Sequence, residues 1–350
     1  MPPTRATPPL LLLGILSRSP SPSLSPSLSL SLSLLLSACA PSGFERDPGT
    51  SATDAITVRV EPDDGPQPII DLIRGARRSV ALEIYLLTDG DVLAALVDAR
   101  AAGRQVSVIL EPHPFGADGA NRAAYDRLGA AGAEVTWASA RFALTHTKLL
   151  VVDGRQAAIM TSNLTHAGLN SNREYLAVDQ RPADVAAAQA IIDADRADAP
   201  TRAVISGGRV IASPDTTRPA LLSLLAAARQ QIELEMEELS DLAAVDALIA
   251  AATSGVAVTA VVPASDRSSA TDGALAQLVA GGVRVRALAA PVVHAKTIVI
   301  DRRRLYIGSI NLTTASMDRN REVGLIADDR AAAERVSEVV AQDAAAGAPP

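Results

Sequence analysis

The sequence contains the same unit twice. Pro62-Asp63 precedes a helical pattern over residues 67–78 and an apolar strand. Pro214-Asp215, 152 positions later, precedes a helical pattern over residues 219–230 and another apolar strand. In both copies an alanine-rich helical segment, over residues 91–102 and 242–253, comes next and is followed by a glycine turn and a strand rich in β-branched residues. Strands that alternate with helices of this length predict βαβ units and a sheet covered by helices. The repeat therefore predicts an α/β protein made of two similar halves.

The two predicted halves have definite limits. We expect the first domain to cover residues 56–200 and the second to cover residues 201–346, with the boundary in the proline-containing stretch 199–202. Continuous apolar runs at 149–152 and 297–300 fit strands that are buried on both faces. A chain of 350 residues is long enough to bury two such cores.

Residues 1–38 have the composition of an export signal. An apolar run over residues 10–16 is followed by a Ser/Pro/Leu tract that ends in Leu36-Ser37-Ala38-Cys39, which resembles the lipobox of bacterial lipoproteins. Cys39 is the only cysteine, which excludes a disulfide framework. We therefore expect an exported protein that is lipid-anchored in the cell envelope at Cys39, with residues 39–55 as a flexible tether. Cleavage by an ordinary signal peptidase, which gives a periplasmic or secreted protein, is the alternative.

Lysine is almost absent from the chain. Of 32 basic residues only Lys148 and Lys296 are lysines, and each stands two positions after a histidine, His146 or His294. Lysine is a compact point charge, whereas arginine is a planar fork. The retention of lysine at two matched places indicates a chemistry that arginine does not perform.

Each histidine–lysine pair opens the same longer pattern. An aspartate follows each lysine by five positions, and an asparagine and a glutamate follow each histidine by 17 and 28 positions. Four of the six asparagines in the chain occupy matched positions, because Asn172 and Asn320 also stand two places before the two glutamates. The shared residues are the aspartates Asp153 and Asp301, the hydroxyl residues Thr161 and Ser309, the asparagines Asn163 and Asn311, and the glutamates Glu174 and Glu322. Such paired spacing is far more specific than a single motif.

These residue types suit the chemistry of a phosphate ester. Residues i and i+2 of a strand point to one face, so each histidine projects together with its lysine. Two lysines and two asparagines form a cradle for the oxygens of one phosphate, and Thr161 and Ser309 are further candidates for binding it. One imidazole attacks phosphorus, while the other protonates the leaving oxygen and later activates water. Glu174 or Glu322 behind each ring fixes the tautomer, and neither a metal nor a cofactor is required.

The pattern resembles the HxKxxxxDxxxxxxGSxN signature of the phospholipase D superfamily, duplicated as in its two-domain members, and the repeat spans residues 56–345. Residues 294–311 fit the signature throughout, whereas the first copy has Met160-Thr161 where the family has Gly-Ser. We expect Met160 to place a bulkier side chain beside the cradle.

The resemblance implies a fold and a mechanism. It implies two tandem α/β domains, each a mixed sheet flanked by helices, related by a pseudo-two-fold axis with one active site at their interface. It also implies a phosphohistidine intermediate, metal-independent phosphodiester cleavage, and a fold-supporting role for Asp153 and Asp301. By analogy His146 is favoured as the nucleophile and His294 as the acid, an order that the sequence leaves open.

The net charge of the chain limits the class of substrate that we expect. The chain carries 39 acidic against 32 basic residues and a net charge of −7, so a polyanion such as DNA is repelled. We therefore expect a phosphoric diester hydrolase of the phospholipase D type that works as a monomer on phospholipid headgroups at a membrane surface. Nucleic acid is a disfavoured substrate. The alternatives are a nuclease, a phosphatidyltransferase of the cardiolipin-synthase kind, and a catalytically silent protein that binds phosphate groups.

Overall fold

A computed structural model describes residues 55–201 and 208–350, which belong to one compact unit. The predicted signal segment, Cys39 and all of the predicted tether except Ala55 lie outside the described residues. The predicted domain boundary meets residues 202–207, which also lie outside them, so the limits of the two domains stay predictions. Among the described residues, none of the helices combines the length and hydropathy needed to span a bilayer.

The elements repeat in the order that the sequence predicts. In the first half they are β1 (Thr57–Glu61), α1 (Gln67–Arg74), β2 (Ser79–Ile84), α2 (Gly90–Ala101), β3 (Gln105–Leu110), α3 (Arg122–Ala130), β4 (Glu134–Trp137), β5 (Lys148–Val152), β6 (Gln156–Met160), α4 (His166–Asn170), β7 (Asn172–Asp179) and α5 (Pro182–Arg196). In the second half they are β8 (Val210–Ser213), α6 (Thr217–Ala226), β9 (Gln231–Met236), α7 (Leu242–Thr253), β10 (Ala257–Pro263), α8 (Ser269–Ala280), β11 (Arg284–Leu288), β12 (Val292–Val293), β13 (Lys296–Ile300), β14 (Arg304–Gly308), α9 (Thr314–Asp318), β15 (Glu322–Asp328) and α10 (Arg330–Ala346).

Each half forms one mixed sheet. The strand orders are β1-β7-β6-β5-β2-β3-β4 and β11-β10-β9-β13-β14-β15-β8. The βαβ strands β2, β3 and β4 are parallel, as are β9, β10 and β11, and the remaining pairs within each sheet are antiparallel. The short strand β12 of the second half pairs with β7 of the first. Two tandem mixed sheets flanked by helices confirm the predicted fold class.

The described residues form three apolar cores between the sheets and the helices that cover them. Helices α1, α2 and α3 cover one face of the first sheet, and α6, α7 and α8 cover the matching face of the second. The other faces of both sheets share one core with α5 and α10. Strand β2 shows the alternation that this requires, because Val80 and Leu82 belong to the helix-covered core, whereas Ala81 belongs to the shared core.

The motif aspartates end the first helix of each half. The sequence predicted helices over residues 67–78 and 219–230, yet α1 and α6 each stop four residues earlier. The carboxylate of Asp153 accepts backbone N–H groups of residues 77, 78 and 79, and that of Asp301 accepts those of residues 229, 230 and 231. These amides are therefore turned away from a continuing helix. Burial raises the pKa of both aspartates, but the backbone hydrogen bonds outweigh it and lower the pKa below its usual value.

Candidate active site

The segment that carries each histidine is hydrogen-bonded to the opposite half. His146 precedes β5, and its backbone N–H donates to the Arg321 carbonyl of the second half at 2.8 Å. His294 precedes β13, and its N–H donates to the Arg173 carbonyl of the first half at 3.2 Å. Arg173 and Arg321 are the middle residues of the tripeptide Asn-Arg-Glu, which stands at the start of β7 and again at residues 320–322. Each histidine is therefore docked on the Asn-Arg-Glu segment of the opposite half.

Each imidazole is held by the glutamate of the other half. His146 Nδ1 lies 3.0 Å from Glu322 Oε2, and His294 Nδ1 lies 2.6 Å from Glu174 Oε1. Both glutamates are fully buried, whereas the two rings keep 13% and 18% of their surface exposed. A carboxylate on Nδ1 fixes the tautomer and leaves Nε2 free for chemistry. The sequence predicted a glutamate behind each ring, and the structure shows that the pairing crosses between halves.

Both lysines are fully buried beside their histidines. Lys148 Nζ donates to the His146 carbonyl at 3.0 Å, and Lys296 Nζ contacts the His294 carbonyl in the same way. Burial, and then the charge of Lys296, lower the pKa of Lys148 to about 7. Burial, and then the charge of Lys148, lower the pKa of His146, against the raising effect of Glu322. At neutral pH His146 therefore offers a neutral imidazole.

The two asparagines differ in their hydrogen bonds. Asn311 Oδ1 accepts the backbone N–H of Glu238 at 3.0 Å, and its amide nitrogen donates to Glu237 Oε2 at 3.2 Å, the oxygen that Lys296 also contacts. Asn163 Oδ1 is buried, and it has no hydrogen-bond partner among the described residues. The structure thus brings Asn311, Lys296 and His294 around one point, as the sequence predicts for a cradle, and leaves the amide oxygen of Asn163 open.

The structure does not bring the predicted phosphate-binding hydroxyls to the cradle. Thr161 Oγ1 donates to Glu174 Oε2 at 2.5 Å and accepts the Tyr175 N–H at 2.8 Å. Ser309 Oγ accepts the Val323 N–H at 3.1 Å, and both hydroxyl residues are fully buried. A phosphate contact is therefore not supported for either hydroxyl. Thr161 instead orients the glutamate that holds His294.

Met160, which stands where the family has glycine, lies in the helix-covered core of the first half. At the matched Gly308 a methyl group would lie 2.5 Å from the Cα of Gly324 and 2.9 Å from the Tyr306 hydroxyl oxygen, so a side chain there would clash with both residues. The first half has Ala158 where the second has Tyr306, and this small residue leaves room for Met160. The difference in volume is balanced inside the core, and a contact of Met160 with the cradle stays a prediction.

Two site residues escaped the sequence analysis because the two copies carry different residues at their position. Tyr85 follows β2, and its ring meets that of His146 edge to face, with centroids 4.6 Å apart. Glu237 follows β9 at the matched position, and its carboxylate lies 2.6 Å from Lys296 Nζ. Both stand directly after a matched strand, and a comparison of the two copies at that position is the signal that would have found them.

Two buried arginines tie the halves together behind the site. Arg173 binds Asp343 of α10, with Nε 2.6 Å from Oδ2, and Arg321 binds Asp195 of α5 at the same distance. Arg321 is fully buried, and a second nitrogen lies 2.8 Å from the other Asp195 oxygen. The repeated Asn-Arg-Glu tripeptide was a signal for these arginines. Each such tripeptide therefore supplies the opposite half with an ion pair and with a glutamate for its histidine.

The two halves of the chain each match a known family. Residues 69–196 and 221–344 match the family described as cardiolipin synthase, PLD-like domain. The chain belongs to this family. Its membership of the phospholipase D superfamily, which the histidine, lysine and asparagine spacing predicts, is thereby confirmed. Comparison with curated proteins gives no match. Within residues 55–201 and 208–350, no three His, Cys, Asp or Glu side chains are grouped as metal ligands.

Solved structures share the fold. Phosphatidylserine synthase from Haemophilus influenzae Rd KW20 is 13% identical with a TM-score of 0.63, over 83% of this chain and 86% of that one. Polyphosphate kinase from Porphyromonas gingivalis has the same identity and TM-score over 82% of this chain, which spans half of the kinase. Nuc from Salmonella typhimurium, a phospholipase D family member, is 25% identical over 40% of this chain with a TM-score of 0.38. At 13% identity the first two likenesses concern the fold alone.

Proposed function

We propose that the protein cleaves the headgroup phosphodiesters of phospholipids by a metal-independent mechanism that uses two histidines. The observation that carries the proposal is the pair of imidazoles, each held at Nδ1 by a buried glutamate of the opposite half and each beside a buried lysine. Two oriented imidazoles supply a nucleophile and a proton donor, and the lysines supply positive charge for the phosphate oxygens.

The first step forms a covalent intermediate. Nε2 of His146 attacks phosphorus, the bond between phosphorus and the leaving oxygen breaks, and His294 gives its proton to that oxygen. His146 suits the attack because its lowered pKa keeps it neutral at neutral pH. His294 takes the donor role because its ring stands on the other side of the shared site, with Nδ1 2.6 Å from Glu174 Oε1. Lys148, Lys296 and the asparagine amides bind the non-bridging oxygens.

The second step decides between hydrolysis and transfer. His294, now neutral, takes a proton from a water or an alcohol, whose oxygen attacks phosphorus as the bond to His146 breaks. Water gives hydrolysis, which we propose as the main reaction. The description of the matched family as cardiolipin synthase favours transfer to an alcohol as the second candidate. A net charge of −7 supports a lipid over a nucleic acid in either case.

The test is headgroup release from mixed phosphatidylcholine and phosphatidylglycerol micelles in the presence of chelator. We expect release by the wild type and none by His146→Ala, and an added primary alcohol that appears in the phospholipid product identifies transfer. Strong inhibition by chelator that a divalent metal reverses would contradict the metal-independent mechanism. Cleavage of oligonucleotides with no release from lipid would turn the proposal towards a nuclease.

We also propose that the protein is exported and anchored through Cys39, on the strength of the segment Leu36-Ser37-Ala38-Cys39. Cys39→Ser then moves the protein from the membrane fraction to the soluble fraction of the cell envelope. Retention of this variant in the membrane fraction would overturn the anchor.

A further inference from the structure

A carboxylate of the chain itself occupies the second half of the cradle. Glu237 Oε2 lies 2.6 Å from Lys296 Nζ and 3.2 Å from Asn311 Nδ2, and Oε1 lies 3.4 Å from His294 Nε2. These are the groups that the proposed mechanism assigns to the phosphate and to the leaving oxygen. The carboxylate therefore holds the place of two phosphate oxygens.

The first half carries no carboxylate at the position that matches Glu237. The residue matched to Glu237 is Tyr85, whose hydroxyl accepts the Phe115 N–H at 2.5 Å and whose ring centroid lies 5.1 Å from Lys148 Nζ. An aromatic ring can face a lysine without neutralising it. The two lysines of the site thus differ, because one faces a ring and the other forms an ion pair with a carboxylate.

The Glu237 carboxylate has to leave Lys296 when a phosphate binds there. Burial alone would raise the pKa of Glu237, but His294 and Lys296 outweigh it and hold the pKa far below its usual range, so the group stays ionised. Its side chain is 29% exposed, which leaves it a way towards solvent, whereas Lys296 is fully buried. An incoming phosphate oxygen therefore displaces the carboxylate from Lys296, and the negative charge remains beside the bound diester.

We infer that Glu237 determines the charge of the substrate: it competes with phosphate oxygens for Lys296 and Asn311, and once displaced it favours a cationic group next to the phosphodiester. A second negative charge on the substrate meets repulsion from the same carboxylate. The substrate class is therefore a zwitterionic phospholipid, with one anionic phosphodiester and an ammonium headgroup. This inference rests on the proposed phosphodiesterase function.

The binding test uses inorganic phosphate at pH 8 as the probe, titrated by calorimetry against the full chain. Glu237→Gln keeps the size of the side chain and removes its charge, and we expect it to bind phosphate at least about tenfold more tightly than the wild type. Glu237→Tyr, which installs the residue of the first half, is expected to tighten binding as well. Equal or weaker binding by both folded variants would overturn the inference.

The matched control is Glu238→Gln. Glu238 is the next residue, and its carboxylate accepts the hydroxyls of Ser268 and Thr271 rather than contacting the cradle. We expect its phosphate affinity to equal that of the wild type. Tightening by this variant as large as that of Glu237→Gln would show a general effect of negative charge and would overturn the specific role of Glu237.

A second readout separates this inference from the proposed function. We expect the ratio of headgroup release from phosphatidylcholine to that from phosphatidylglycerol to fall at least about tenfold in Glu237→Gln. Cleavage of both lipids with an unchanged ratio and unchanged phosphate affinity overturns the inference and keeps the proposed function. Absence of cleavage by every variant, with tighter phosphate binding by Glu237→Gln, overturns the proposed function and keeps the charge competition.

Discussion

The two halves of this molecule have the same backbone fold, but they carry different residues directly after β2 and β9. Behind the site they are alike, since each histidine is held by a glutamate, and each arginine by an aspartate, of the opposite half. In front of the site, Tyr85 packs against His146, whereas Glu237 pairs with Lys296. The comparison teaches that the duplicated scaffold fixes the catalytic groups in pairs, while single positions at strand ends make the two sides of the site unequal.

The cores of the two halves also differ at a few matched positions, where large and small side chains are exchanged. The second half combines Tyr306 with Gly308 and Gly324, and the first has Ala158, Met160 and Leu176 at these places. Close packing allows a large side chain at one position only where its neighbours are small. The exchange of residues therefore preserves the matched strands on which both histidine–lysine pairs stand.

The largest expected effect is the loss of catalysis from either half. We expect His146→Ala and His294→Ala each to lower turnover by at least about 10³-fold, because one site needs both imidazoles. His113→Ala is the control, since this side chain is 79% exposed and pairs only with Asp118 among the described residues. Substantial turnover by either site variant, measured as release from phospholipid, would break the description of one shared site.

A leaving group that needs no proton sharpens the comparison of the histidines. With bis(p-nitrophenyl) phosphate we expect His294→Ala to release a burst of p-nitrophenol and to accumulate phosphohistidine, and His146→Ala to give no burst. The reverse result would exchange the two roles. Phosphohistidine is followed by acid-labile phosphorus on the denatured protein.

The next largest effect concerns stability. Arg321→Ala leaves Asp195 unpaired and buried, and we expect a loss of about 3–5 kcal/mol in the free energy of unfolding. Arg173→Ala is expected to cost somewhat less, because one of its partners, Asp63, is 56% exposed. Arg302→Ala, in an exposed turn, is the control for urea denaturation. A loss no larger than that of this control would refute the role of the buried arginines in joining the halves.

A smaller effect is the pH dependence of substrate binding and catalysis, which Lys148 and His146 set. With a pKa of about 7, Lys148 loses its charge as the pH rises above neutrality, so the KM for a phosphodiester should increase several-fold between pH 7 and pH 9. The lowered pKa of His146 sets the acidic side of the profile, where protonation removes the nucleophile. A kcat/KM that stays flat from pH 6 to pH 9 would contradict this assignment.

The smallest effect comes from Glu61, which lies opposite Glu174 on the neighbouring strand of its sheet. In the second half Ser213 takes the matched place opposite Glu322. Burial, and then Glu174, raise the pKa of Glu61 from 4.5 to about 8. A pKa raised on folding makes ionisation unfavourable, so the penalty grows from pH 4.5 to about pH 8 and is constant above that. Glu61→Gln should therefore raise Tm by a few degrees at pH 8 and hardly at pH 4. An equal change at both values would exclude this cause.

The repeat made much of the fold predictable. An offset that keeps strands, helices and glycine turns in one order predicts two α/β halves, and α7 begins and ends where the sequence places it. The predicted C-terminal ends of α1 and α6 were wrong by four residues. Asp153 and Asp301 accept hydrogen bonds from backbone amides that lie more than 70 positions away in the chain. Local patterns carry no information on such distant acceptors.

The sequence by itself determined the fold class and which residue types come in pairs, because strand alternation and equal spacing are local properties that the repeat displays twice. Only the tertiary structure decided which glutamate holds which histidine, since that depends on how the segments before β5 and β13 cross to the opposite half. It also decided that the Thr161 hydroxyl contacts Glu174 and that the Glu237 carboxylate lies in the cradle. These contacts join residues from different strands, and their geometry exists only once both sheets are packed.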